Sequence, residues 1–129
     1  MAARILVVDD EAHITRAVRM KLSKAGFDVE TACDGREAWE IIQRDPPELV
    51  VTDLQMPHMD GLELCRRVRQ NETTSDMPLI LVTARGLEYD EDAVSRALRP
   101  SHIFWKPFSP RELLKCVQES LQLETAAGG

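Results

Sequence analysis

Cysteine is scarce in this chain: Cys33, Cys65 and Cys116 are odd in number and far apart. They support neither a disulfide framework nor a zinc site, and read as small apolar residues of a reducing compartment. His13, His58 and His102 show no metal-ligand spacing. Positive charge is in deficit, with 16 Lys and Arg against 22 Asp and Glu and a net charge of −6. That balance argues against direct contact with nucleic acid, which draws on clustered cations. There is no Gly-rich nucleotide cradle, no internal repeat and no apolar run long enough to span a bilayer. The opening Met1-Ala2-Ala3-Arg4 leads into an apolar run too short for a signal peptide. The expectation is a cytoplasmic protein with no membrane association, and 129 residues suit one compact domain.

What the chain does have is a set of short apolar runs, each ending on a reactive side chain. Asp9-Asp10 follow Ile5-Leu6-Val7-Val8, Asp53 follows Leu49-Val50-Val51-Thr52, Thr83 follows Leu79-Ile80-Leu81-Val82, and Lys106-Pro107 follow Ile103-Phe104-Trp105. Between these runs lie longer amphipathic stretches. Such alternation predicts parallel strands joined by helices, and ligands of these sheets sit at the carboxyl ends of the strands.

The spacing predicts strands over 4–9, 27–32, 49–53 and 78–83, with a fifth ending at Lys106. Helices are expected over 11–25, after Asp34-Gly35, around Leu62 to Val68, around Ala93 to Leu98, and from Ser109. Gly26 and Pro46-Pro47 stop two of them. The fourth helix reads as weakly apolar, with Ala93, Val94, Ala97 and Leu98. Ser109-Pro110 opens the last helix with a hydroxyl cap and a proline in the first position. Residues 1–123 read as one domain and 124–129 as a flexible tail. Five strand–helix units make an α/β layer fold with right-handed crossovers.

Asp10 by itself could be a helix cap, and Thr83 a simple strand former. A third carboxylate at an equivalent strand end changes the reading. Two like charges about 4 Å apart repel by roughly 4 kcal/mol at an effective dielectric near 20. Asp9, Asp10 and Asp53 together therefore need a cation or a raised pKa. A hard divalent ion resolves the conflict, and magnesium suits a few oxygen ligands shared with a phosphate. Asp53 could also attack phosphorus to give an aspartyl phosphate, with Lys106 balancing the charge and Thr83 donating to a phosphoryl oxygen.

Val7-Val8-Asp9-Asp10-Glu11, Asp53-Leu54-Gln55-Met56-Pro57 with Asp60-Gly61, Val82-Thr83-Ala84-Arg85, and Lys106-Pro107-Phe108 resemble the receiver domains of bacterial two-component response regulators, chemotaxis-Y-like. The resemblance covers residues 4 to about 122 and rests on four motifs in order. It implies a flavodoxin-like doubly wound (βα)5 fold with a five-stranded parallel sheet in the order 2-1-3-4-5. It also implies that Asp53 is the phosphoacceptor, that Mg2+ is held by Asp10, by Asp9 largely through water, by Asp53 and by the Gln55 carbonyl, and that Thr83 and Lys106 bind the phosphoryl group. Gln55 and Arg85 stand where the family tunes dephosphorylation.

The implied function is a phosphoacceptor switch and not an enzyme beyond its own phosphorylation and autodephosphorylation. The partners are a sensor histidine kinase or histidine phosphotransfer protein, and a homodimer or output protein using the fourth helix, fifth strand and last helix. Two departures from the family pattern stand out. Ile103 replaces the Tyr, Phe or His often found three residues before the lysine, and Arg99-Pro100-Ser101 replaces a small turn before strand five. Strand alternation places Trp105 with Ile103, opposite Phe104 and Lys106, so an exposed Ile–Trp pair would form a binding face. Rival readings are a pseudo-receiver used only as an interaction module and a magnesium-dependent phosphatase with an Asp nucleophile. The second lacks a general acid two residues after Asp53, where Gln55 stands.

Overall fold

Glycine, proline and short polar caps set the turns, and period-two alternation decides what each strand buries. The computed structural model describes residues 2–56, 58–84 and 91–128. Strands β1 (Arg4–Val8), β2 (Asp28–Ala32), β3 (Leu49–Asp53), β4 (Leu79–Ala84) and β5 (His102–Lys106) alternate with helices α1 (Ala12–Lys24), α2 (Gly35–Arg44), α3 (Gly61–Gln70), α4 (Glu91–Leu98) and α5 (Pro110–Gly128). All strands pair in parallel, in the order β2-β1-β3-β4-β5. This is the doubly wound arrangement implied by the resemblance.

Successive strand residues point to opposite faces, so each strand supplies two cores. Leu6, Val8, Val50, Leu79 and Leu81 meet α2, α3 and α4 through Ile42, Leu64, Val68 and Leu98. Ile5, Val7, Leu49, Val51, Ile80 and Val82 meet α1 and α5 through Val18, Leu22, Leu113 and Val117. Burying one such aliphatic side chain contributes roughly 1.5–3 kcal/mol. All of β3 is buried, so its terminal Asp53 is carried on the most enclosed strand.

The local signals act as their chemistry requires. Gly26 ends α1 with φ 101, a conformation that penalises any Cβ. The Asp34 carboxylate accepts from Glu37 N at 2.8 Å and Asp60 from Glu63 N at 2.9 Å, capping α2 and α3. Ser109 Oγ accepts from Glu112 N at 3.4 Å at the start of α5. Element ends shift by a residue or so from the sequence reading: β1 stops at Val8, releasing Asp9, and β4 includes Ala84. Helix α5 continues through Gly128, because the stretch read as a tail is made largely of helix formers such as Glu124, Ala126 and Ala127.

Among the described side chains of α4, Val94 and Leu98 are buried, and Ala93 and Ala97 are exposed. The two alanines rim a cleft between α3 and α4 with Leu62 and Arg66. On the β5 side the expectation of an exposed Ile103–Trp105 pair needs correction. Ile103 and Trp105 are half-buried, and Ile103 packs against the core shared with α2, α3 and α4. An edge strand with a helix near each face leaves neither side fully open. Among the described residues the cysteines are unpaired, and no helix is long and apolar enough to cross a membrane.

Candidate functional site

Parallel register brings the four strand ends to one edge of the sheet. Val8 pairs with Thr52, Asp53 with Val82, and Ala84 with Lys106. Asp9 and Asp53 therefore emerge side by side from the central strands, with Thr83 one residue beyond Asp53's neighbour. Asp9, Asp53 and Thr83 are buried, and Asp10 is exposed. One carboxylate oxygen from each of Asp9, Asp10 and Asp53 lies within 4.8 Å of the others, an acidic cluster able to hold a metal ion.

Lys106 closes this cluster from β5. Its Nζ lies 2.9 Å from Asp53 Oδ2, 3.0 Å from Asp9 Oδ2 and 2.8 Å from Glu11 Oε2. An ammonium has three donors, and here each faces a carboxylate. Burial by itself would lower the Lys106 pKa, but hydrogen bonds to Asp53, Glu11 and Asp9 outweigh it and raise it. The lysine is therefore a fixed cation. Burial pushes Asp9 up from the usual 3.8, and repulsion from Asp53 adds to that, against hydrogen bonds from Glu11 N and Lys106. Glu11 is held low by its hydrogen bond to Lys106, though it is largely solvated.

Backbone groups hold the two buried acids in place. Glu11 N donates to Asp9 Oδ1 at 2.9 Å, and Gln55 N donates to Asp53 Oδ1 at 3.0 Å. Helix α1 thus starts without a side-chain cap, and Asp10 is left to solvent instead of serving as the cap. Gly61 N donates to Leu54 O at 3.0 Å, drawing the start of α3 against the strand end that carries Asp53. Thr83 Oγ1 is buried and finds no hydrogen-bond partner among the described residues. A hydroxyl in that condition costs about 1–3 kcal/mol, the kind of local expense found where a ligand completes the bonding. The Lys106–Pro107 peptide is cis.

Asp9, Asp10, Asp53, Thr83 and Lys106 thus converge as the sequence suggested. Gln55 is exposed on the loop after β3, its nitrogen turned to Asp53, and Arg85 lies outside the described residues. Sequence reasoning missed Glu11 as a partner of Lys106. Its one signal was its place as the third acid of Asp9-Asp10-Glu11. His13, His58 and His102 are exposed.

A parallel sheet in this order thus carries three acids and a lysine together at its carboxyl edge. Residues 5–118 match the response regulator receiver domain family, and the chain belongs to that family, the receivers of two-component systems. Over all 129 residues it is 40% identical to response regulator MprA of Mycolicibacterium vanbaalenii, of which it spans 54%. A CheY-like receiver domain protein of Methanospirillum hungatei superposes with a TM-score of 0.88 at 29% identity, over 100% of both chains. Chemotaxis response regulator CheY4 of Vibrio cholerae gives 0.83 at 32% identity, over 93% of this chain and 99% of that one.

Proposed function

We propose that Asp53 is the phosphoacceptor of this receiver, supplied by a sensor histidine kinase or a histidine phosphotransfer protein. The observation that carries this is the buried Asp53 carboxylate, its Oδ2 held 2.9 Å from Lys106 Nζ at a strand end. An Asp53 oxygen attacks phosphorus, forming a P–O bond as the P–N bond of the donor phosphohistidine breaks. The leaving imidazole nitrogen keeps the electron pair. Lys106 balances the charge that arrives, and the unpartnered Thr83 hydroxyl donates to a phosphoryl oxygen. Asp9, Asp10, Asp53 and the Gln55 carbonyl would hold Mg2+, which when bound neutralises charge on the transferring phosphoryl oxygens.

An apolar cleft of about 400 Å³ beside Lys106, lined by Ile14, Ala17, Pro107 and Phe108, offers the donor protein a seat. The flanking α1 carries Arg16, Arg19, Lys21 and Lys24 and no acid. Residues 1–123 would form the switching unit in the cytoplasm, and α5 runs on beyond them to Gly128. Phosphate would shift a two-state equilibrium through Thr83 and Lys106 and alter the α4-β5-α5 surface, for a second copy or an output protein. Beyond its own phosphorylation and autodephosphorylation the chain would catalyse nothing. Intact mass after acetyl phosphate and magnesium tests this reading. One added phosphoryl group is expected, whereas an unlabelled chain would indicate a pseudo-receiver and multiple turnover of a phosphate ester a phosphatase.

Metal and proton should compete at this site. Asp9's folded pKa lies above its ordinary 3.8, so its contribution to stability is full below that value and is lost as pH rises through the folded pKa. A divalent ion binds the ionised form and offsets this, by about 2.7 kcal/mol at a hundred times Kd. The gain in Tm from magnesium should therefore grow as pH rises from about 4 towards 7. Asp10→Ala should weaken the gain by removing a ligand, yet raise metal-free stability by removing a like charge. Melting curves with and without magnesium across pH check both points. A pH-independent gain, or a metal-free Asp10→Ala that melts below the metal-free parent, would contradict the account.

Trp105 pairs in register with Thr83 and shares a strand face with Ile103. Activation with beryllofluoride and magnesium should therefore change its fluorescence. The change is expected to vanish in Trp105→Phe and persist in Trp39→Phe. The opposite pattern would assign the remodelled face to the surroundings of Trp39.

A further inference from the structure

Arg69, near the end of α3, spends its whole guanidinium on backbone carbonyls. Nε donates to Leu98 O at 2.6 Å, Nη1 to Met77 O at 2.7 Å and Ser75 O at 3.0 Å, and Nη2 to Arg99 O at 3.3 Å. These acceptors come from the turn before β4 and from the C-terminal end of α4. Leu98 O is among the carbonyls that a helix leaves without an intrahelical partner, and a cation there also meets the negative end of the helix dipole.

The adjoining residues reinforce the contact. Arg99 takes φ 49, in the left-handed region that costs a non-glycine residue roughly 1–2 kcal/mol. In that conformation its N donates to Ser95 O at 3.0 Å, and its Nη2 reaches the same Ser75 O at 3.1 Å. Ser101 N then donates to Leu79 O at 2.8 Å and delivers the chain to β5. Burial, together with the charge of Arg99, acts against the Arg69 cation, so two arginines sharing one carbonyl are held together by the acceptors and not by each other.

This junction lies where β4 and β5 begin, at the sheet edge opposite Asp53. Helix α4 runs towards it from the site side. Among its described side chains, the buried ones are Val94 and, at the junction itself, Leu98. Beside them, the exposed Ala93 and Ala97 border the α3–α4 cleft of about 450 Å³. The helix is therefore fastened at its far end and has space beside its length.

We propose that Arg69 is a positioning residue that fixes the pivot of α4, so that a change at the site swings the near end of the helix about Leu98 instead of sliding the whole helix. The pivot rests on the reading of Asp53 as phosphoacceptor. It also accounts for the Arg99-Pro100-Ser101 turn, where a small flexible residue would fit the backbone but could not bond Ser75.

The test is amide hydrogen exchange on the full chain, with and without beryllofluoride and magnesium, alongside acetyl phosphate labelling. In the parent, activation should change exchange in the first turn of α4 and leave Leu98, Arg99 and Ser101 unchanged. Arg69→Lys keeps the charge but has too few donors in the wrong geometry for four carbonyls. It should be labelled within about twofold of the parent, yet show an activation-dependent change of about tenfold at Leu98 to Ser101 and a smaller one in the first turn.

Arg99→Asn tolerates the left-handed backbone and leaves Arg69 in place. It should give the same pattern in weaker form, and it carries the test if Arg69→Lys fails to fold. Parent-like activation responses in the folded variants would overturn the pivot. So would faster exchange that is equal in both states, the mark of a merely structural role. A parent that takes no phosphoryl group overturns the phosphoacceptor reading and the pivot with it, whereas a labelled parent with unresponsive variants rejects the pivot alone.

Discussion

Asp53→Asn should lose acetyl phosphate labelling almost entirely, by on the order of a thousandfold or more, as removal of a nucleophile does elsewhere. The reason is local. Asp53 is the buried acid at the end of the fully enclosed β3, with one oxygen on Lys106 and the other on the Gln55 nitrogen. Asp9 is buried too, but it leaves β1 beyond its last paired residue and shares Lys106 with Glu11. Asparagine has nearly the same shape and can still accept from Gln55 N, so the fold should survive. It also removes one of two buried like charges, and the metal-free Tm should hold or rise slightly. Intact-mass spectra over time, with melting curves as the folding control, give the measurement. A folded Asp53→Asn chain that labels at the parental rate would move the phosphoacceptor elsewhere.

Much of this site could be read in the sequence because parallel sheets convert a one-dimensional pattern into a common edge. Asp9, Asp53, Thr83 and Lys106 each follow an apolar run, and strand register makes them neighbours. The two cores were legible for a similar reason, since alternate residues of one strand face opposite helices. Strand order was not. It followed from the family resemblance, because alternation does not say which strands are adjacent.

The sequence reading failed where a contact has no period. Arg69 binds carbonyls whose side chains are irrelevant, 6 to 30 positions away along the chain, and nothing in residue type announces that. Glu11 reaches Lys106 across 95 positions. In α4 the pattern Ala93-Val94-Ala97-Leu98 fits a helix face, but alanine is too short to close the cleft towards α3, so half of that face stays open.

Gly61 is the other residue whose importance spacing concealed, and its replacement by alanine should be the more damaging of two glycine substitutions. At Gly26, where φ is +101, an added Cβ would meet nothing within 4 Å. Gly26→Ala should therefore cost only the left-handed strain, about 1–2 kcal/mol. At Gly61 an added Cβ would collide with Asp53 O and lie 2.8 Å from Leu54 Cα, both backbone atoms that no rotamer change can move. Helix α3 would have to retreat from β3, breaking Gly61 N to Leu54 O and carrying the Asp60 cap with it. Overpacking of this kind costs up to about 3 kcal/mol and sometimes more, on the order of 10 °C in Tm for a domain of this size. Because the obstructing atoms belong to Asp53 and its neighbour, Gly61→Ala should also slow acetyl phosphate labelling, while Gly26→Ala labels at the parental rate. Melting and labelling of the two variants side by side decide the matter. If Gly61→Ala melts no lower than Gly26→Ala and labels normally, close approach of α3 to the strand end is not what positions Asp53.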